Sequence, residues 1–345
     1  MKTLIRVCLA FSILIFGLTA ASAQTTSPSG YHLLKEIHIG GEGGWDYLYA
    51  DSNDHRLYIS HSTKVIVVDT DTDAVVGEIA NTNGVHGIAI ADDLGRGFIS
   101  DGRDDSVTIF DPKTLKTLGT VKTGKNPDAI IYDPATKRVF AFNGGSGDTT
   151  VIDAAAGTVA ATIALGGKPE FATADGKGKV FVNIEDKSDV VEIDSKKLTV
   201  ITRWPIAPGE EASGMAIDRK NRRLFIVCSN KKMIVLNADA GKVAAELAIG
   251  NGPDAASYDP ETRLAFSSNG EGTLTVIKQD SADKFSVLDT VTTRRGARTM
   301  TIDAKTHKLY LPTAAYGPTP AATPERPRPR PTIVPNSFTI LVYGR

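Results

Sequence analysis

One spacing rule selects seven positions that could act together. Each lies five residues before an aspartate that recurs at steps of 41 to 44 residues, and the seven are Asp46, Gly87, Asp128, Glu170, Ser213, Asp254 and Arg298. Four carboxylates gathered at one place would raise one another's pKa, and a bound cation would relieve that repulsion. Calcium or magnesium suits carboxylate and carbonyl oxygens, so Asp46, Asp128, Glu170 and Asp254 are the candidate metal set. With His86 and Arg298 added, Asp46, His86, Asp128, Glu170, Asp254 and Arg298 are the candidate ligand-binding set. The competing reading is that each acid accepts backbone N–H bonds in its own turn.

The elements that would position these residues follow from the recurring aspartate itself. It stands at Asp51, Asp92, Asp133, Asp175, Asp218, Asp259 and Asp303. An aromatic follows seven residues later at Tyr58, Phe140, Phe225, Phe266 and Tyr310, and six later at Phe98 and Phe181. In the third copy an apolar run, residues 129–132, meets Asp133-Pro134, a type I turn signal, and a second strand follows over 138–142. A loop at 143–147, a strand at 149–152, a turn and a last strand at 158–163 complete four strands. A 42-residue step of four short strands predicts an all-β fold, a seven-bladed β-propeller of four-stranded antiparallel blades. A DxxT or DxxxG turn is expected between the third and fourth strands of every copy.

In that architecture the first strand of each blade lines the central channel. At about 3.3 Å per residue the seven positions lie roughly 16 Å from the aspartate turns, and so ring the opposite channel mouth. The loops joining second and third strands should open on the same face and contribute His61, Asp101, Arg103, Asn143, Glu185, Ser229 and Asn269. His61 and His86 are expected at the mouth beside Asp46 and Asp128, and are the candidate catalytic histidines, since imidazole between carboxylates can act as general base or metal ligand. His55 and His307 fall on the far-face turns, and His32 and His38 in or beside a closing strand.

Residues 31–345 are read as the propeller, with residues 24–30 as a linker. The strand that begins near residue 31 has no blade of its own and is expected to pair with the last copy and close the ring. That last copy carries a proline-rich insertion, residues 314–336, which cannot be a central strand and could stand over the mouth as a lid or wall. Its Arg326, Arg328 and Arg330 are read as solubilising.

Lys2 and Arg6, an apolar run over 7–18 and Ala21-Ser22-Ala23 read as a secretory signal peptide, residues 1–23. A periplasmic or secreted protein without a membrane span is therefore expected. Removal of the two cations takes the net charge from -1 to -3, which gives no nucleic-acid footprint. Cys228 then stands alone, so no internal disulfide forms, and it reads as a buried hydrophobe. There is no CxxCH, zinc cysteine pair, GxSxG elbow or GxxxxGK[ST] loop, and the glycines at 40–44 open no helix that could cradle phosphate. No motif demands a cofactor.

The Gly-x-x-Pro-Asp starts at Gly124 and Gly250, the Asp-Pro-x-Thr-x-Arg turn, the second-strand aromatic and the Val151-Ile152-Asp153 ending resemble the YVTN-type β-propeller repeat of YncE-like exported proteins. The resemblance covers nearly all of the chain beyond the leader and implies fold more than function. The expected function is a monomeric binding module whose charged mouth engages a small molecule or a cell-envelope protein. The alternatives are a metal-dependent hydrolase or lyase, as in lactonase-like propellers, using a mouth histidine and carboxylates, and a purely structural envelope role.

Overall fold

A computed structural model of the chain describes residues 27–323, 329 and 331–345; the leader and Arg326, Arg328 and Arg330 lie outside them. Among the described residues, seven four-stranded antiparallel sheets form the molecule, with two single-turn helices, Asp92–Leu94 and Glu185–Lys187. Six sheets are consecutive in the chain and span residues 45–80, 85–122, 127–164, 169–205, 212–248 and 253–292. Each inner strand contacts the inner strand of the next sheet, and that of the seventh returns to that of the first, so the sheets close a ring. The chain is a seven-bladed β-propeller.

The seventh blade is built from both ends of the described chain. Thr301–Asp303, Lys308–Thr313 and Thr339–Gly344 supply three strands, and His32–His38 pairs with the last of them as the outermost. Ser29 and Tyr31 anchor this arm: the Ser29 hydroxyl donates to Asp289 at 2.7 Å and the Tyr31 ring meets Phe266 edge-on at 5.0 Å.

Blades hold together through the residues that mark the repeat. All seven second-strand aromatics are at most 1% exposed. Seven apolar clusters occupy the seven interfaces, each fed by two neighbouring sheets. Burial of one such side chain stabilises the fold by roughly 1.5–3 kcal/mol. The arginine after the turn straps one blade to the next: Arg96 donates to the Ala154 carbonyl at 3.1 Å and Arg138 to that of Ser195 at 2.5 Å. The turn aspartates accept the backbone N–H bonds their sequence context predicts, as Asp133 does from Ala135 at 3.1 Å and Asp218 from Lys220 at 3.0 Å.

The expected DxxT or DxxxG turn between third and fourth strands holds in the first three blades. The fourth (Asp194 to Leu198) and fifth (Asn237 to Gly241) keep its backbone bond without the motif, and the seventh takes its fourth strand from the other end of the chain. The sixth replaces the turn with a longer hairpin, Thr273–Ser281 against Lys284–Thr292. Its extra residues carry Asp283 to Arg223 of the fifth blade, at 2.5 Å, in place of the usual strap.

Candidate functional site

The inner strands of six blades turn the selected positions by a shared irregularity, whereas Arg298 precedes the inner strand of the seventh, Thr301–Asp303. In the first six blades the pairing of first and second strands slips by one residue at that position, as between Trp45↔His61 and Leu48↔Ile59 or Pro127↔Asn143 and Ile130↔Ala141. Such a bulge frees one residue from the ladder and turns its side chain. Polar side chains in the second strands then hold the freed backbone. The Ser60 hydroxyl accepts Asp46 N–H at 2.8 Å, and Ser100 accepts Gly87 N–H at 2.8 Å while donating to the Asp128 carbonyl of the next blade. Asn183 donates to the Ser213 carbonyl at 2.6 Å. These polar residues went unnoticed in the sequence, although each breaks the apolar run of a buried strand 13 or 14 residues after its ring position.

The charged heads do meet. Asp46 Oδ2 lies 2.6 Å from His86 Nδ1, and Asp128 Oδ1 lies 3.6 Å from the same nitrogen. Asp254 pairs with Arg298 at 3.2 Å, and Glu170 with Lys168 at 3.4 Å. None of these four carboxylates accepts a backbone N–H among the described residues, so the turn-cap reading does not hold. Gly87 and Ser213 add no charge, and Ser213 bonds the Pro253 carbonyl at 3.2 Å.

Crowding in a desolvated basin displaces the proton affinities. Burial and the Asp46 charge push Asp128 up to about 6, with His86 opposing. Burial and Asp128 push Glu170 up to about 8 against Lys168. Burial, only partly offset by Arg298, pushes Asp254 up to about 7. Burial alone would lower His86, but the Asp46 hydrogen bond and the charges of Asp128, Asp46 and Glu170 outweigh it and hold the imidazole at about 9. Oδ1 of Asp128 and Oε2 of Glu170 are buried without a hydrogen-bond partner.

Tyr47, next to a ring position and missed by the spacing rule, crosses the channel. Its ring meets Phe171 of the fourth blade edge-on at 5.2 Å and its hydroxyl donates to Glu170 at 3.4 Å. It is 6% exposed and forms the floor of the charged mouth. Beyond it the channel opens into a second cavity of about 300 Å³ lined by Tyr49, Tyr132, Phe171 and Arg219.

Two expectations about this face are corrected. His61 does not reach the mouth: it is 2% exposed, its ring lies 4.7 Å from that of Phe338, and Gly41 leaves room for it. Burial lowers its pKa. Asp101, Asn143 and Asn269 do not line the face either, because they are buried inside their hairpins, bonding Thr108, Thr150 and Thr275. Arg103 and Ser229 are exposed, and Glu185 pairs with Lys168. Cys228 is free and buried, as expected, and burial pushes its thiol up to about 12.

The described ends of the proline-rich insertion form a wall at the mouth. Tyr316 bridges Ile333, Gly317 N–H donates to Thr332 at 2.8 Å, and Asn336 N–H donates to Gly41 at 3.2 Å. Between this wall and the first, sixth and seventh blades lies a pocket of about 480 Å³ reached by Trp45, Tyr316, Arg295 and Arg298.

No protein-family model matches the chain, and no curated protein matches it. Among solved structures it is similar to RRP9 WD40 repeats, with a TM-score of 0.74 and 10% identity over 93% of this chain and 99% of that one. U3-55K follows at 0.73 and 10%, over 92% and 99%. The hydrazine synthase of Kuenenia stuttgartiensis gives 0.68 and 18%, over 79% of this chain and 94% of that chain. At such identities the likeness is one of fold, and it agrees with the seven blades. Among the described residues no helix is long and apolar enough to cross a membrane.

Proposed function

We propose that this chain is an exported, YVTN-type propeller that binds a small polar ligand at its charged channel mouth. The observation that carries the reading is the convergence of Asp46, His86, Asp128, Glu170, Asp254 and Arg298, from six different blades, on one partly desolvated basin beside an open pocket. Groups with displaced proton affinities in a cleft are where binding and catalysis concentrate. The test is a thermal-shift screen of polar metabolites against the mature chain and an Asp128→Asn/Asp254→Asn/Arg298→Gln variant. Ligands that stabilise the first and not the second support the reading; ligands that stabilise both equally, or none at all, sink it. Export is checked by the N-terminus of the protein recovered from outside the cytoplasm, expected at Gln24.

A metal-assisted hydrolase or lyase is the second reading, favoured by one specific group. Ligand atoms of Asp46, His86 and Asp128 lie within 4.8 Å of one another. An imidazole with two carboxylates suits a divalent transition ion better than the all-oxygen set first drawn for calcium or magnesium. Glu170 and Asp254 fall outside this group. Elemental analysis of the purified protein together with a lactone and ester panel decides: no stoichiometric metal and no turnover retires this reading.

A further inference from the structure

We infer that the pocket between the first, sixth and seventh blades binds a flat carboxylate, a carboxyl group carried on an aromatic or similarly planar ring. This deepens the mouth-binding reading and rests on it. The volume, about 480 Å³, falls in the range of small-molecule sites, roughly 300–1,000 Å³. Trp45 and Tyr316 form one side, their ring centroids 6.5 Å apart and their planes inclined at 48°. Trp45 is held in place from behind by Phe338, stacked at 4.8 Å. Pro331 and Ile333 contribute the apolar surface of the insertion. A planar ring can therefore lie against fixed aromatic faces at little entropic cost.

The charge on the lining has one sign. It includes two arginines and no aspartate or glutamate. Arg298 is half exposed and meets Asp254 through one nitrogen at 3.2 Å. A guanidinium has five N–H donors in a fork that fits a carboxylate in pairs, so Arg298 keeps donors for a ligand. Arg295 has no ion pair among the described residues, and its charge acts on the Tyr316 hydroxyl, as that of Arg298 does. Glycine at 296 is required for the arrangement, because a Cβ there would stand 2.1 Å from Tyr316 Oη. Trp45 and Arg298 depart in residue type from the matching positions of the other copies, and Tyr316, Pro331 and Ile333 belong to the insertion that the other copies lack, which is where a ligand preference peculiar to this propeller would be written.

The chain has two tryptophans, and Trp204 lies in the outer strand of the fourth blade, so a Trp204→Phe variant makes Trp45 the sole indole reporter. This full-length protein is titrated with benzoate and phenylacetate, and with benzamide and benzylamine as neutral and cationic counterparts. Both carboxylates should quench Trp45 saturably below roughly 10 mM. Benzamide should bind at least about tenfold more weakly, because it lacks the charge-assisted fork. Arg298→Gln should lower benzoate affinity by about tenfold or more and leave benzamide unchanged. Tyr316→Ala should weaken both, and circular dichroism melts verify that each variant is folded. No saturable response to either carboxylate, equal binding of benzamide, or an unaffected Arg298→Gln variant would each overturn the proposal. Saturable binding of benzylamine that is lost in Asp254→Asn would overturn it too, while leaving the mouth as a ligand site.

Discussion

His86 keeps its proton well above the pH at which a free imidazole loses it, and Asp128, Glu170 and Asp254 keep theirs above the ordinary carboxylate range. An imidazolium whose pKa rises from 6.5 to about 9 on folding stabilises the native state fully below 6.5, and that contribution is lost as pH climbs through 9. Asp128, Asp254 and Glu170 ionise in the unfolded chain near the ordinary carboxylate value of about 4. In the fold they ionise only near 6, 7 and 8, so each opposes folding increasingly over that window. Asp101, raised to about 7 by burial, acts in the same direction. All five groups therefore make stability fall between about pH 4 and 9. Thermal melts at pH 6 and pH 9 should show the lower midpoint at pH 9, and Glu170→Gln should raise the pH 9 midpoint and flatten the slope. A midpoint that climbs from pH 6 to pH 9 would refute this electrostatic picture. Ser100 offers a second check: Ser100→Ala strands the Gly87 N–H and the Asp128 carbonyl, a loss of about 1–3 kcal/mol by chemical denaturation.

At the scale of the strand and its turns, two kinds of side chain couple the blades, and they should differ in weight. Phe140 is fully buried in the interface of the third and fourth blades. Phe140→Ala should cost about 3–5 kcal/mol, a transfer loss plus a cavity. Arg138 reaches the Ser195 and Lys196 carbonyls of the fourth blade at 2.5 and 3.2 Å. Arg138→Met keeps the apolar stem and removes those bonds, so about 1.5–3 kcal/mol is expected from urea unfolding. The sequence displayed both residues as repeat marks, the aromatic seven places after Asp133 and the arginine in the turn. It did not show that the arginine serves the next blade rather than its own, because the partner lies 57 residues away. The inner-strand bulges were equally hidden, since a slip in pairing has no residue type of its own.

For the whole molecule, closure is the property on which cooperativity depends. Strand His32–His38 covers the edge of Thr339–Gly344, and Ser29 and Tyr31 fasten its start to the sixth blade. A chain beginning at residue 39 would leave that inner β edge bare, and exposed edges template association. It should unfold at lower denaturant and self-associate in analytical ultracentrifugation; a monomer of unchanged stability would show that the ring does not need its clasp.

The residue order alone determined the seven blades, their strand polarity and the positions that face the axis. Regular turn aspartates and buried aromatics are local signals that each repeat restates. Distances across the axis were decided only by the tertiary structure. Tyr47 meets Glu170 over 123 residues. His61, equal to His86 in the sequence, lies buried beneath Phe338, a residue the chain supplies only after its proline-rich insertion. Contacts between unlike blades depend on how the ring closes and on what each insertion covers, and no repeat carries that information within itself.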